Sequence, residues 1–251
     1  MMSTAQLALV HTRYNLLETA RVPIAVIGSL VFPTLAFCLF VLPQGVVTQD
    51  PEAATAAVAS MTVFAFMSAG LFAIGIDLAE QRAKPWVPYM RTLPGKPSVR
   101  IGGLILATLV IACLAMVPLL VVGALFTSAD PAFSDLLAAV GLVVVTSVPP
   151  MLIGVIIGTA SGPKAAIAIT QVAMFLLAFG GGLFLPPPLF APWLDAASSV
   201  LPIRQAREIV VGAANGQGVP LWAVLGIVAW TAALGALAVW LHRRDEGRRY
   251  R

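Results

Sequence analysis

The sequence predicts an all-α integral membrane protein: six transmembrane helices, an N-terminal amphipathic interfacial helix, and an external re-entrant helical hairpin between helices 5 and 6. Three observations lead there. Hydrophobic residues make up 59% of the 251 and charged residues only 10%, whereas a soluble domain is about a quarter charged. Six apolar stretches each approach the roughly 20 helical residues that cross a hydrocarbon core of about 30 Å. Thirteen of the fifteen Lys and Arg fall in segments on one side of those stretches. Short segments rich in Lys and Arg stay in the cytoplasm, so both termini are expected inside.

Residues 4–21 place Leu7, Val10, Tyr14 and Leu17 on one helical face, with His11, Arg13 and Glu18 elsewhere. That pattern predicts a helix lying on the cytoplasmic surface. It serves equally as an anchor for the first span or as a contact for a partner. The polar segment ahead of the first apolar stretch is too long for a signal-peptide n-region, so no cleavable leader is expected. The spans are expected at 22–42, 55–79, 101–126, 136–159, 165–185 and 221–241. Turn and breaker runs separate them: Pro43-Gln44-Gly45, Pro94-Gly95, Ser128-Ala129-Asp130-Pro131, Ser161-Gly162-Pro163 and Asn215-Gly216. Lipid leaves no partner for unpaired backbone groups, so the spans must be helices. Small residues such as Ala53, Ala56, Ala57, Ser60, Gly226, Ala233 and Gly235 permit close helix packing. The whole chain, 1–251, reads as one transmembrane domain. The interfacial helix occupies 1–21, helices 1–5 occupy 22–185, the external hairpin 186–220, helix 6 221–241, and a basic tail 242–251.

Two segments outside the spans carry most information. In the cytoplasmic connection 80–100, helix is expected to continue past Asp77 and Glu80 until Pro85 and Pro88 interrupt it. Pro88 can open a short new helix, which Pro94-Gly95 ends. Trp86, Tyr89, Met90 and Leu93 then stand beside Arg82, Lys84 and Arg91, a composition that suits a protein–protein anchor. The other reading of those aromatics is an interfacial belt. The external segment contains Pro186-Pro187-Pro188, Pro192 and Pro202, with short helices expected over 193–200 and 203–213. Arg204 and Glu208 have the i, i+4 spacing that supports a helix. Trp193, Leu194, Leu201 and Ile203 are too apolar for a solvated loop, so a hairpin dipping into the outer leaflet is expected. Gly180-Gly181-Gly182 should weaken the end of the fifth span before it.

Several chemistries are excluded. His11 and His242 are the only histidines, and the sequence contains no H-E-x-x-H zinc motif and no G-x-x-x-x-G-K-[ST] phosphate loop. The G-x-S-x-G turn of a serine hydrolase is absent as well. Acidic residues within spans are limited to Asp77 and Asp135, both near span ends, whereas ion-driven carriers hold ionisable groups near mid-membrane. Cys38 and Cys113 lie in apolar stretches and form no metal-ligand cluster. The formal charge of +4 comes from basic residues flanking spans without an aromatic stacking platform. It therefore points to lipid headgroups and topology, with no nucleic-acid partner.

At this point the residues resemble a known family, the permease subunits of ABC-2 type exporters. The external run Gly182-Leu183-Phe184-Leu185-Pro186, then Ala191-Pro192-Trp193-Leu194 and Leu201-Pro202-Ile203, is similar to that family's signature after the fifth span. The run Asp77-Leu78-Ala79-Glu80-Gln81-Arg82, then Arg91-Thr92-Leu93-Pro94, resembles its loop after the second span. One departure stands out: Lys84-Pro85-Trp86-Val87-Pro88 replaces the Gly-Thr-Leu-type run of many members. The resemblance implies a multi-pass protein of the bacterial plasma membrane, paired with a second permease copy, an identical one preferred. It implies two cytosolic ABC ATPase subunits that hold ATP and Mg, this chain carrying no cofactor. Cargo would be a drug, lipid or related hydrophobic or amphipathic molecule, as in multidrug efflux.

The expected ATPase contacts are Glu80, Arg82, Lys84, Trp86, Tyr89, Met90 and Arg91, with Tyr14 and Leu17 from the interfacial helix. The expected substrate path holds Phe64, Met67, Phe72, Gln171, Met174, Phe175 and Phe179, which carry no charge, so a strongly charged cargo would lack counter-ions. Pro186, Pro192, Trp193, Leu194, Leu201 and Pro202 form the expected external gate. Two other classes stay open, an ATP-independent secondary transporter and an intramembrane enzyme. A neighbouring reading frame encoding a Walker-motif ATPase would separate them.

Overall fold

A computed structural model describes residues 4–85 and 97–248. Every regular element among them is helical. The first helix, α1 (Thr4–Ala20), leads into α2 (Pro23–Phe40), where Pro23 takes a first-turn position and Pro33 lies inside the helix. A short α3 (Gly45–Gln49) precedes α4 (Pro51–Ala69). The start of α4 is well specified: Pro51 has no N–H to leave unpaired, and the Asp50 carboxylate accepts from Glu52 N at 3.2 Å. α4 passes through one π turn (Gly70–Ile74) into α5 (Gly75–Ala83), making a continuous helical run from Pro51 to Ala83. Then come α6 (Pro97–Phe126), α7 (Phe133–Thr146), α8 (Val148–Ala160), α9 (Pro163–Gly180), α10 (Pro192–Ser199), α11 (Pro202–Ala214) and α12 (Leu221–Arg248).

Among the described residues, five helical stretches are long and apolar enough to cross a membrane: Pro51–Ala83, Val99–Phe126, Phe133–Ala160, Pro163–Gly180 and Leu221–Leu241. α2 contributes a shorter apolar helix, Leu30–Phe40. The expected fourth span is broken in two at Ser147. Pro149 and Pro150 withhold two N–H groups from the preceding turn, which ends one helix and starts the next. Hydroxyls fill part of the gap, Thr146 Oγ1 donating to Leu142 O at 2.8 Å and Ser147 Oγ to Val144 O at 2.6 Å.

The α4–α5 run forms the centre, with Phe64, Phe66, Met61, Met67 and Leu71 fully buried. α2, α6, α7 and α11 pack around α4, while α8 and α9 pack on α5, and α12 lies outside against α8 and α11. Lipid removes most of the hydrophobic drive for such packing, so close approach and internal hydrogen bonding must hold it. One close backbone approach lies between α8 and the π turn with α5. A β-carbon on Gly154 would sit 2.5 Å from Gly70 O, and one on Gly158 would sit 2.9 Å from Gly75 O. Hydroxyls on the central run turn back on their own helix: Ser60 Oγ donates to Ala56 O at 2.7 Å and Thr62 Oγ1 to Val58 O at 2.9 Å. They cost nothing unpaired in a medium without water.

Candidate functional site

At one end of the bundle, α1 lies along α6. Gly103 makes this possible, since a β-carbon there would lie 2.5 Å from His11 Cβ and 3.1 Å from Ala8 O. Burial, and secondly the Arg100 guanidinium, hold the His11 imidazole below its ordinary value. The face read as apolar is only half covered: Leu7 and Val10 are partly buried, while Tyr14 and Leu17 remain exposed.

A cavity of about 760 Å³ opens between α1, α2, the α4–α5 run and α6. Phe32, Phe72, Ile111 and Ala112 give it apolar walls, and Gln171 reaches it from α9. Its mouth carries Glu18, Asp77, Glu80 and Lys84. Lys84 Nζ stands 4.0 Å from Glu18 Oε1, linking α1 to the segment after α5. Among the described lining residues, three carboxylates thus share this mouth with one ammonium.

Among the residues expected to meet an ATPase, Glu80 is exposed beside this mouth and Lys84 is half-buried there. Arg82 points elsewhere. Its guanidinium donates to Gly158 O at 3.0 Å and to Thr159 O, closing the C-terminal end of α8. A cation at that end also meets the negative pole of the helix. Trp86, Tyr89, Met90 and Arg91 lie outside the described residues, as does the short helix expected after Pro88.

The path residues separate into three environments. Phe72 and Gln171 face the cavity together. Met67 and Met174 are buried in the core. Phe64, Phe175 and Phe179 belong to an aromatic cluster that includes three residues outside the expected set. Phe184 is its hub, with ring centroids 4.9 Å from Phe64, 4.8 Å from Phe40 and 5.1 Å from Phe179. Phe32 joins at 5.7 Å from Phe64, and Phe175 stacks on Phe179 at 6.4 Å. This cluster therefore connects the inner cavity, through Phe32, to the loop leaving α9.

That loop turns at Gly182, whose φ of 73° suits a residue without a β-carbon. It runs through a 3-10 turn (Pro187–Leu189) into the consecutive short helices α10 and α11. Of the expected gate residues, Pro192 and Trp193 are exposed, Trp193 by 73%, while Pro186, Leu194 and Leu201 are half-buried and Pro202 is buried. α11 is almost wholly enclosed by α4, α7 and α12, with Ile203, Ala206, Ile209 and Val210 buried. Arg204 joins the arms, contacting Asp195 Oδ1 at 3.0 Å and Glu208 Oε1 at 2.9 Å, and Arg207 adds a second contact to Glu208 at 2.8 Å. Ser198 Oγ donates to Gly180 O at 2.6 Å, and Trp230 Nε1 on α12 donates to Val200 O at 2.8 Å. The α10–α11 pair is held at the C-terminal end of its first helix.

Among the described residues, no group of three or more His, Cys, Asp or Glu is placed to hold a metal ion. A family model described as "ABC-2 type transporter" matches residues 6–214. The chain is also similar to a Bacillus subtilis (strain 168) protein named "Putative transport permease YvfS", 23% identical over 227 residues, covering 88% of this chain and 91% of that one.

Proposed function

The chain belongs to the ABC-2 type transporter family, and on that premise we propose that it is the membrane permease subunit of an ATP-driven exporter. In this reading α2 joins the five longer helical stretches to give six crossings of a bacterial plasma membrane, with both termini in the cytoplasm. Two copies of the chain meet to form the path, and two cytosolic subunits bind ATP with Mg and dock on the inner face. The cargo is a hydrophobic or amphipathic small molecule or lipid.

One observation carries the reading. The exposed Tyr14 and Leu17 of α1 and the exposed Glu80 after the π turn share one end of the bundle, tied through Glu18 and Lys84. A partner pushing on that end would bear at once on α1 and on the central helical run. Arg82 supports the same surface from within by holding α8 to α5. On the opposite end, the α10–α11 hairpin re-enters the bundle and acts as the external gate. Its two states need differ by only a few kcal/mol for both to be populated.

Copurification tests the assignment. A neighbouring reading frame should encode a Walker-motif ATPase, and the tagged chain expressed with that subunit should retain it. Trp86→Ala and Arg91→Ala should uncouple ATP turnover from transport while leaving the helices folded, and Tyr14→Ala should weaken docking less. Absence of any copurifying ATPase, together with full activity in those variants, overturns the reading.

A further inference from the structure

We propose that the cavity between α1, α2, α5 and α6 is a binding site for cationic amphiphiles, the charged head at the mouth and the tail directed inward. The inference rests on the exporter reading for calling this molecule cargo, whereas binding itself is a property of this chain alone. Its volume of about 760 Å³ falls in the range of roughly 300–1,000 Å³ typical of pockets that enclose small organic ligands. Along α6 the lining runs from Leu104 to Ala115, a rise of about 16 Å at ~1.5 Å per residue. That distance reaches about halfway through a hydrocarbon core of roughly 30 Å.

The chemistry changes along this depth. The inner walls are mostly apolar, with Phe32, Phe72, Ile111 and Ala112 offering a tail dispersion contacts beside the polar Ser68, Thr108 and Gln171. Among the described residues, the mouth offers Glu18, Asp77 and Glu80 against one ammonium, Lys84, which stands 4.0 Å from Glu18. An incoming ammonium therefore finds carboxylates in excess at the membrane surface, where partial desolvation makes attraction stronger than in bulk water. An anionic head meets like charge there. The uncharged path residues alone argue against charged cargo, and these carboxylates supply the counter-ions that such a cargo needs.

The test uses the purified full chain in phosphatidylcholine nanodiscs, without any ATPase, photolysed with a benzophenone-tagged alkyltrimethylammonium probe. Label should appear in peptides covering 68–84 and 104–115. Tetradecyltrimethylammonium should displace it and tetradecyl sulfate should not. Glu18→Gln with Asp77→Asn should reduce labelling at least tenfold, and Ala73→Leu, which narrows the cavity without touching charge, should also reduce it. Equal displacement by the sulfate, label confined to other peptides, or wild-type labelling in the double variant overturns the proposal. Loss of labelling in phosphatidylethanolamine nanodiscs assigns the site to a resident lipid amine and overturns the cargo assignment. Labelling without ATPase pairing sinks the exporter reading alone, and pairing without labelling sinks the cargo class alone.

Discussion

Replacing Gly154 by Ala adds one methyl group at a tight backbone crossing between α8 and the π turn. The new β-carbon would lie 2.5 Å from Gly70 O and 3.3 Å from Ile74 Cβ. A backbone carbonyl cannot rotate away as a side chain can, so α8 must move off the π turn. Even a radial gap of ~0.5–1 Å forfeits a quarter to a half of each dispersion contact across it, and overpacking of this kind costs about 1–3 kcal/mol. Against that, Ala gains up to about 1 kcal/mol over Gly in a helix interior. The gain can be cancelled with a control. Gly141 in α7 has nothing within 4 Å of its missing β-carbon, so Gly141→Ala carries the propensity gain without the clash. The difference between the two variants, measured by reversible unfolding in SDS followed through Trp fluorescence, should be about 1–3 kcal/mol, with Gly154→Ala the less stable. Equal stability in the two variants would show that the α5–α8 crossing is looser than described, and the steric argument would fall.

Arg204→Met keeps the side chain's length but removes the contacts to Asp195 and Glu208, and should cost about 1.5–3 kcal/mol, the usual worth of charge-assisted hydrogen bonds. Hydrogen exchange should accelerate over 192–214 with the spans unaffected, and unchanged exchange there would remove the brace from the account. The docking of α1 should depend on pH. Because the folded state holds His11 below its ordinary value of 6.5, neutral His11 is the docked form, and its stabilisation is full above that value and lost as pH falls beneath it. Relative to the intrinsic rate at each pH, amide protection in α1 should therefore fall as pH drops from 7.5 to 5.5, and His11→Gln should abolish that fall. A pH-independent α1 refutes the assignment.

Helix positions were legible because the chain marks them with residues whose backbone chemistry is local. Pro51, Pro163, Pro192 and Pro202 all stand in first turns, and Asp50 caps where its side chain can reach. The Arg204–Glu208 contact followed from spacing alone. The split at Ser147 was also written in Pro149-Pro150, yet an unbroken apolar stretch obscured it. Other features depend on segments far apart in sequence. Nothing near Arg82 announces that it closes α8, 76 residues away, and no local spacing brings Glu18 beside Lys84. The cavity is built by the same long-range docking of α1, and so could not be read from any one element. Phe184 lay in plain view within Gly182-Leu183-Phe184-Leu185-Pro186, but its place as an aromatic hub appears only when α2, α4 and α9 converge.

The π turn at Gly70–Ile74 has a consequence for how this bundle can change. It holds one more residue than the α-helical turn it replaces, and each residue of an α-helix advances the azimuth by about 100°. Everything beyond it is therefore out of phase with α4 by that angle. Tightening the turn to α-helical hydrogen bonding with all its residues kept would restore the phase and swing Asp77, Glu80 and Arg82 together around the axis. Two carboxylates would leave the cavity and a guanidinium would leave the end of α8, with no substitution at any of the three. The polarity of the inner vestibule is thereby a matter of hydrogen-bond register as much as of residue identity, and a shift between π and α geometry at this one turn would recast which molecules it admits.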